Sequence, residues 1–138
     1  MPSEEQGLCD SGPIVALFDK TDAAHKDCQT ALKEFPGRLI TTWPVLTEAF
    51  HFLEGTRERQ ALWEFLLSGA LTWTDIQRIE LTRMNTLMMK YADLPMDLAD
   101  ASLVVVAERL KLRKVFTLDR RDFRLYRPRH TRAFEIFP

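Results

Sequence analysis

Six acidic residues stand where the chain could gather oxygen ligands: Asp10, Glu48, Asp97, Asp100, Asp119 and Asp122. Asp10 follows the apolar start Gly7–Cys9 and precedes Ser-Gly-Pro, after which apolar residues resume from Ile14 to Phe18. Asp119 closes the stretch KVFTL, and Asp122 follows it by three residues. Glu48 interrupts an otherwise apolar helical face, and Asp97 and Asp100 open an apolar run. Carboxylates gathered at one edge repel one another and raise each other's pKa. A hard divalent cation relieves that repulsion; Mg²⁺ and Mn²⁺ take oxygen ligands, commonly carboxylates with water and phosphate oxygens. Such ions generate hydroxide and stabilise in-line displacement at phosphorus.

Each acid also has a purely structural reading. Asp97 reads first as a helix cap, Asp22 and Asp75 as caps only, and Asp122 as the cap of a turn in DRRDF. Glu48 resists such a reading, because an unpaired carboxylate on an apolar face is costly. Spacing alone leaves open whether these positions converge. Other chemistries lack their residues. The chain has no G-x-x-x-x-G-K-[ST] loop, G-x-G-x-x-G turn or G-x-S-x-G elbow. His25, His51 and His130 show no zinc spacing. His51 shares a helix face with Glu48, where a surface or interface role is the simpler reading.

Charge is unevenly placed. Ten Lys/Arg against two acids lie between Arg109 and Arg132, a net +8 that leaves −9 elsewhere in a chain of net charge −1. That segment is either a phosphate-binding surface or a solvated face, and charge alone does not choose. The 138 residues, 46% hydrophobic and 28% charged, fit one domain over residues 1–138. No apolar run is long enough to span a bilayer. The start MPSEEQG lacks the basic and apolar regions of a leader, so a cytoplasmic protein is expected. Cys9 and Cys28 read as reduced thiols in or near the core.

The elements that must position the acids alternate. Gly7–Cys9 reads as a strand, followed by a helix in whose first turn Pro13 is tolerated. Thr21 or Asp22 can cap a helix over Ala23–Phe35, which Pro36-Gly37 stops. RLITT at 38–42 reads as a strand, with a helix from Pro44 to about Glu54 and another over Arg57–Ser68 capped by Thr56. ALTWT at 70–74 reads as a strand, and Asp75 as the cap of a helix over Ile76–Tyr91 with Ile76, Ile79, Met84, Leu87 and Met88 buried. Leu98–Leu110 contains the β-branched LVVV, but Asp97 and the surrounding alanines favour a buried helix. Lys114–Leu118 and Ala133–Phe137 complete the strands. Strands alternating with helices predict an α/β/α sandwich around a mostly parallel sheet. Ligands bind such sheets beyond the C-terminal strand ends.

Four blocks in order, LCDSGPIVALF, TTWPVLTEAFHFL, MDLADASLVVVAERL and KVFTLDRRDF, resemble the PIN-domain family, and within it the bacterial toxins of the VapBC type. The resemblance spans roughly residues 7 to 137. It implies that Asp10, Glu48, Asp100 and Asp119 are the metal-binding, catalytic acids. Asp97 and Asp122 would be auxiliary, with Ser11 and Thr117 as hydroxyl positions lining the site. It further implies Mg²⁺ or Mn²⁺ dependence, endoribonuclease activity, homodimers and, for toxin members, a small antitoxin. The proline after Asp10-Ser-Gly departs from the family's usual turn. On this reading Arg120, Arg121, Arg124 and Arg127 contact the RNA backbone, and Trp63, Phe65 and Trp73 offer a surface to a second copy. One rival is a PIN-like module that binds RNA or a partner without cutting; another is a small-molecule phosphatase on a similar sheet.

Overall fold

The computed structural model describes residues 5–138. The first four residues, part of the start read as lacking leader character, lie outside that range. Five short strands form one sheet: β1 (Gln6–Cys9), β2 (Arg38–Thr41), β3 (Leu71–Trp73), β4 (Lys114–Phe116) and β5 (Glu135–Phe137). Their spatial order is β3-β2-β1-β4-β5, and every pairing is parallel. Seven α-helices accompany them among the described residues: α1 (Ser11–Phe18), α2 (His25–Glu34), α3 (Trp43–Phe52), α4 (Thr56–Leu67), α5 (Leu81–Lys90), α6 (Leu98–Leu110) and α7 (Arg120–Leu125).

The chain walks from β1 to β3 in one direction and then returns across the sheet to β4. Right-handed crossovers place helices of the outward walk on one face and those of the return on the other. The result is the expected α/β/α sandwich. Strands covered on both faces must be apolar throughout. Leu8, Cys9, Leu39, Ile40, Val115 and Phe116 are accordingly all buried.

Helix α6 shows burial overriding propensity. Asp97 caps it by accepting the Asp100 N–H at 2.8 Å, and Lys111 ends it in the left-handed region at φ 59°. Every residue from Ala99 to Ala107 is buried. A valine in a helix costs some tenths of a kcal/mol against alanine, whereas burying its side chain contributes about 1.5–3 kcal/mol. The small propensity cost is thus tolerated, and the caps at Asp97 and Lys111 with the flanking alanines set the LVVV run as helix.

Several boundaries differ from the sequence reading. Helix α1 begins at Ser11, capped by Asp10, and Pro13 is buried in its first turn, where a missing N–H has no helical partner to lose. The proline thus leaves the local turn intact. Asp75 does not cap a helix. Gln77 and Glu80 form a reciprocal capping box over a 3₁₀ turn (Arg78–Glu80), and α5 starts only at Leu81. The Asp75 carbonyl instead accepts from Arg109 at 2.7 Å. Ile79, expected inside, is 84% exposed as a consequence. Gly55 rather than Thr56 flanks α4, which ends before Gly69 at φ 81°. The segment after Asp119, read as a turn, is helix α7.

Cys9 and Cys28 are both buried free thiols. Burial pushes the Cys28 thiol up to about 11 and raises Cys9 well above its usual range, so neither is reactive near neutrality. Trp43, Trp63 and Trp73 are not core residues; each keeps 43–46% of its surface exposed. Among the described residues, no helix is long and apolar enough to cross a membrane.

Candidate metal centre

A sheet of order β3-β2-β1-β4-β5 reverses direction between β1 and β4. The crevice beyond the strand ends there is where such sheets bind ligands. Both flanking strands end in an acidic cap: Asp10 after β1, and Asp119 two residues beyond Thr117 after β4. The two ends are fastened together. The Asp10 N–H donates to the Phe116 carbonyl at 2.9 Å, and a Cβ on Gly12 would stand 3.4 Å from the Leu118 side chain.

Asp10 is held on both oxygens. The Ser11 N–H donates to Oδ1 at 2.8 Å, and the Thr117 hydroxyl to Oδ2 at 2.7 Å. Burial pushes its carboxyl up to about 6, the two hydrogen bonds oppose that rise, and the charges of Glu48 and Asp97 add to it. The Ser11 hydroxyl donates to Glu48 Oε1, tying α3 to the N-terminus of α1. Thr117 also accepts the Asp119 N–H at 3.0 Å, so a single buried hydroxyl orders both strand ends.

Asp100, Asp119 and Asp122 come together most closely, each with a carboxylate oxygen within 4.8 Å of the others. Asp97 and Asp119 spend one oxygen each as helix caps, on the N–H groups of Asp100 and Asp122. Asp100 is buried and receives a 2.6 Å hydrogen bond from the Tyr126 hydroxyl. Its carboxyl is pushed up to about 8, by burial first and then by the charge of Asp10. Asp122 is raised as well, through desolvation and its neighbour Asp119, against an opposing pull from Arg121. Among the described residues, none of Asp10, Asp97 or Asp100 is joined to a Lys or Arg in an ion pair. The donor set is all oxygen, without His or Cys, which suits a hard divalent ion rather than zinc. A cation placed there would satisfy carboxylates that otherwise raise one another's pKa.

The surroundings are divided. Glu48 and Asp97 also line a groove of about 730 Å³ whose other walls include Trp43, His51, Phe52 and Leu98. On α7, Arg120, Arg121 and Arg124 are exposed beside Asp119 and Asp122. Arg120 donates to the Pro138 carbonyl, and Arg127 to the carbonyls of Arg124 and Tyr126. Two cations of the basic segment are already engaged elsewhere: Arg109 pairs with Glu80 at 3.1 Å and Lys114 with Glu5 at 2.6 Å. Net charge therefore overstated the surface that faces a polyanion.

The family model for the PIN domain matches residues 8–127. The chain belongs to the PIN-domain family. A curated relative, Ribonuclease VapC26 of Mycobacterium tuberculosis, is 27% identical over 135 residues, covering 95% of this chain and 99% of that protein. Two solved structures share the PIN fold. VapC20 of Mycobacterium tuberculosis, a sarcin-ricin loop cleaving toxin, has TM-score 0.75 at 18% identity, covering 83% of this chain and 90% of its own. A toxin–antitoxin complex from Klebsiella pneumoniae has TM-score 0.67 at 19% identity, covering 85% and 89%.

Within this PIN domain the sequence-derived acids sort into two groups. Asp100, Asp119 and Asp122 form the tight trio. Asp10 and Glu48 stand beside it, linked through Ser11, and Asp97 caps α6 at the rim. Sequence reasoning missed Tyr126. An aromatic residue near the end of a short helix reads as core, and only its fixed spacing of four residues from Asp122 hinted that it could turn toward the acids.

Proposed function

We propose that this PIN domain is a metal-dependent endoribonuclease and the toxin of a type II toxin–antitoxin pair, acting as a single domain over residues 1–138. The observation that carries the reading is the meeting of Asp100, Asp119 and Asp122 within 4.8 Å, with Asp10 beside them at the sheet's switch point. The likeness to ribonuclease toxins supports it.

On this reading Asp10, Glu48, Asp100 and Asp119 hold Mg²⁺ or Mn²⁺, with Asp97 and Asp122 in support. When bound, the ion supplies Lewis-acid charge at the phosphodiester and acidifies water. The chain's own residues do the rest. Thr117 and the Ser11 N–H fix the Asp10 carboxylate, and the Ser11 hydroxyl fixes Glu48. Asp100, whose carboxyl is raised to about 8 by burial and the charge of Asp10, would have to be ionised to hold such an ion. Arg120, Arg121, Arg124 and Arg127 pair with backbone phosphates, the source of most RNA affinity. The partners are RNA, a small antitoxin and a second copy of the chain, in the cytoplasm.

RNA cleavage by the wild type and by Asp10→Asn, with Mg²⁺, Mn²⁺ or EDTA, tests this. Cleavage that needs both the ion and Asp10 is expected. RNA binding that persists in EDTA, with no product under any ion, would replace the nuclease with a non-catalytic binding module.

A further inference from the structure

The tight trio is assembled from two elements. Asp100 belongs to α6, whereas Asp119 and Asp122 belong to the start of α7. Each pair of caps orders its own helix and leaves the relation between the helices to other contacts. At the acids, that relation is made by Tyr126. It is the C-terminal cap residue of α7, with its N–H on the Asp122 carbonyl at 3.1 Å and its hydroxyl on Asp100 Oδ2 at 2.6 Å. Its ring is wholly buried, edge-on to Phe123 and Tyr91 with centroids 5.1 Å away in both cases.

Packing accounts for the ring and not for the hydroxyl. Phenylalanine would fill the same aromatic cluster without carrying a buried polar group that must be satisfied. The hydroxyl is thus a hydrogen-bonding group on a rigid, buried ring, aimed at one oxygen of one acid.

We propose that Tyr126 is a positioning residue whose hydroxyl locks the Asp100 carboxylate against Asp119 and Asp122, so that oxygens from two helices are pre-set for one cation. The inference rests on the metal-dependent reading above. Partners that orient metal-binding side chains typically govern affinity by about 10- to 100-fold.

The test is Mn²⁺ binding, followed by the electron paramagnetic resonance of the free ion, for the wild type, Tyr126→Phe and Tyr91→Phe. Tyr91 shares the ring cluster, but its hydroxyl accepts the Arg127 N–H at 2.9 Å and does not serve the acids. Removing one hydroxyl leaves each ring in place, so both variants fold. Tyr126→Phe is expected to bind Mn²⁺ at least about tenfold more weakly. Its cleavage recovers when Mn²⁺ is raised, while its KM for RNA stays unchanged. Tyr91→Phe keeps wild-type affinity. Unchanged affinity in Tyr126→Phe, or equal weakening in both variants, overturns the positioning role. A wild type that binds no Mn²⁺ overturns the metal-dependent reading itself, which separates the two failures.

Discussion

The two ends of helix α6 carry similar charges under opposite conditions. At its C-terminal end Glu108 accepts both Arg83 nitrogens, at 3.0 and 2.8 Å, and the Arg129 N–H at 2.7 Å. Burial alone would raise its carboxyl, yet these partners hold it below the ordinary value. Arg109, one residue on, pairs with Glu80. At the N-terminal end Asp100 faces Asp10, Asp97 and Asp119, and among the described residues the hydrogen bond its side chain receives comes from a neutral phenol; its carboxyl rises to about 8. One end is built for stability and the other is left with unmet charge. The same helix can do both because its core residues, Ala99 to Ala107, anchor it independently of either end.

The sharpest way to break this contrast is to neutralise the unmet end. Asp10→Asn and Asp119→Asn should each lower RNA cleavage more than about 100-fold, with circular dichroism unchanged; retained cleavage would remove that acid from the mechanism. Next comes pH. Cation binding must displace the protons that Asp10 and Asp100 hold up to about 6 and about 8. Mn²⁺ affinity should therefore climb about tenfold or more between pH 6 and pH 8, measured by titration calorimetry in matched buffers.

Stability should respond with opposite sign at the two ends. Glu108→Gln removes a half-buried bidentate pair and should cost about 1–2 kcal/mol, a fall of several degrees in Tm, with Mn²⁺ affinity intact. Asp100→Asn should raise Tm in EDTA at pH 8.5. Both site carboxyls bind protons more tightly folded than unfolded. Their contribution to stability is full below the ordinary value of 3.8 and is lost as pH rises through about 6 and about 8. A wild-type Tm that is flat over this range would contradict the reading of unmet charge. The smallest effect belongs to the rim. Arg121→Ala or Arg124→Ala should raise the KM for RNA a few-fold and lower the slope of log affinity against log salt by about one.

How far the sequence revealed this contrast depended on the element. Asp10 and Asp119 were legible because each follows an apolar strand and a strand end is a fixed place in a parallel sheet. The LVVV helix was legible because its caps and alanines outweighed its β-branched run. Helix α7 was not, since RRDFRL offers only Phe123 and Leu125 as apolar positions and no stripe. The late start of α5 was hidden because Asp75 is a good cap by type, while Gln77 and Glu80 act only as a pair. The paired end of α6 was invisible for another reason: Arg83 and Glu108 are 25 residues apart, and charge counting cannot see partners. For the same reason charge counting could not tell that Arg109, within a segment it left between phosphate surface and solvated face, is paired with Glu80.

The hydrogen bond from Thr117 to Asp10 joins residues 107 positions apart. At ordinary translation rates of about 5–20 residues per second, Asp10 is made on the order of 5–20 s before its partner exists. Strands β1, β2 and β3 can pair in that interval, but the crevice has only one wall until β4 is laid beside β1. A growing chain therefore carries no assembled crevice until β4 has been made, and Asp10, at the end of β1, waits for the strand that completes its surroundings.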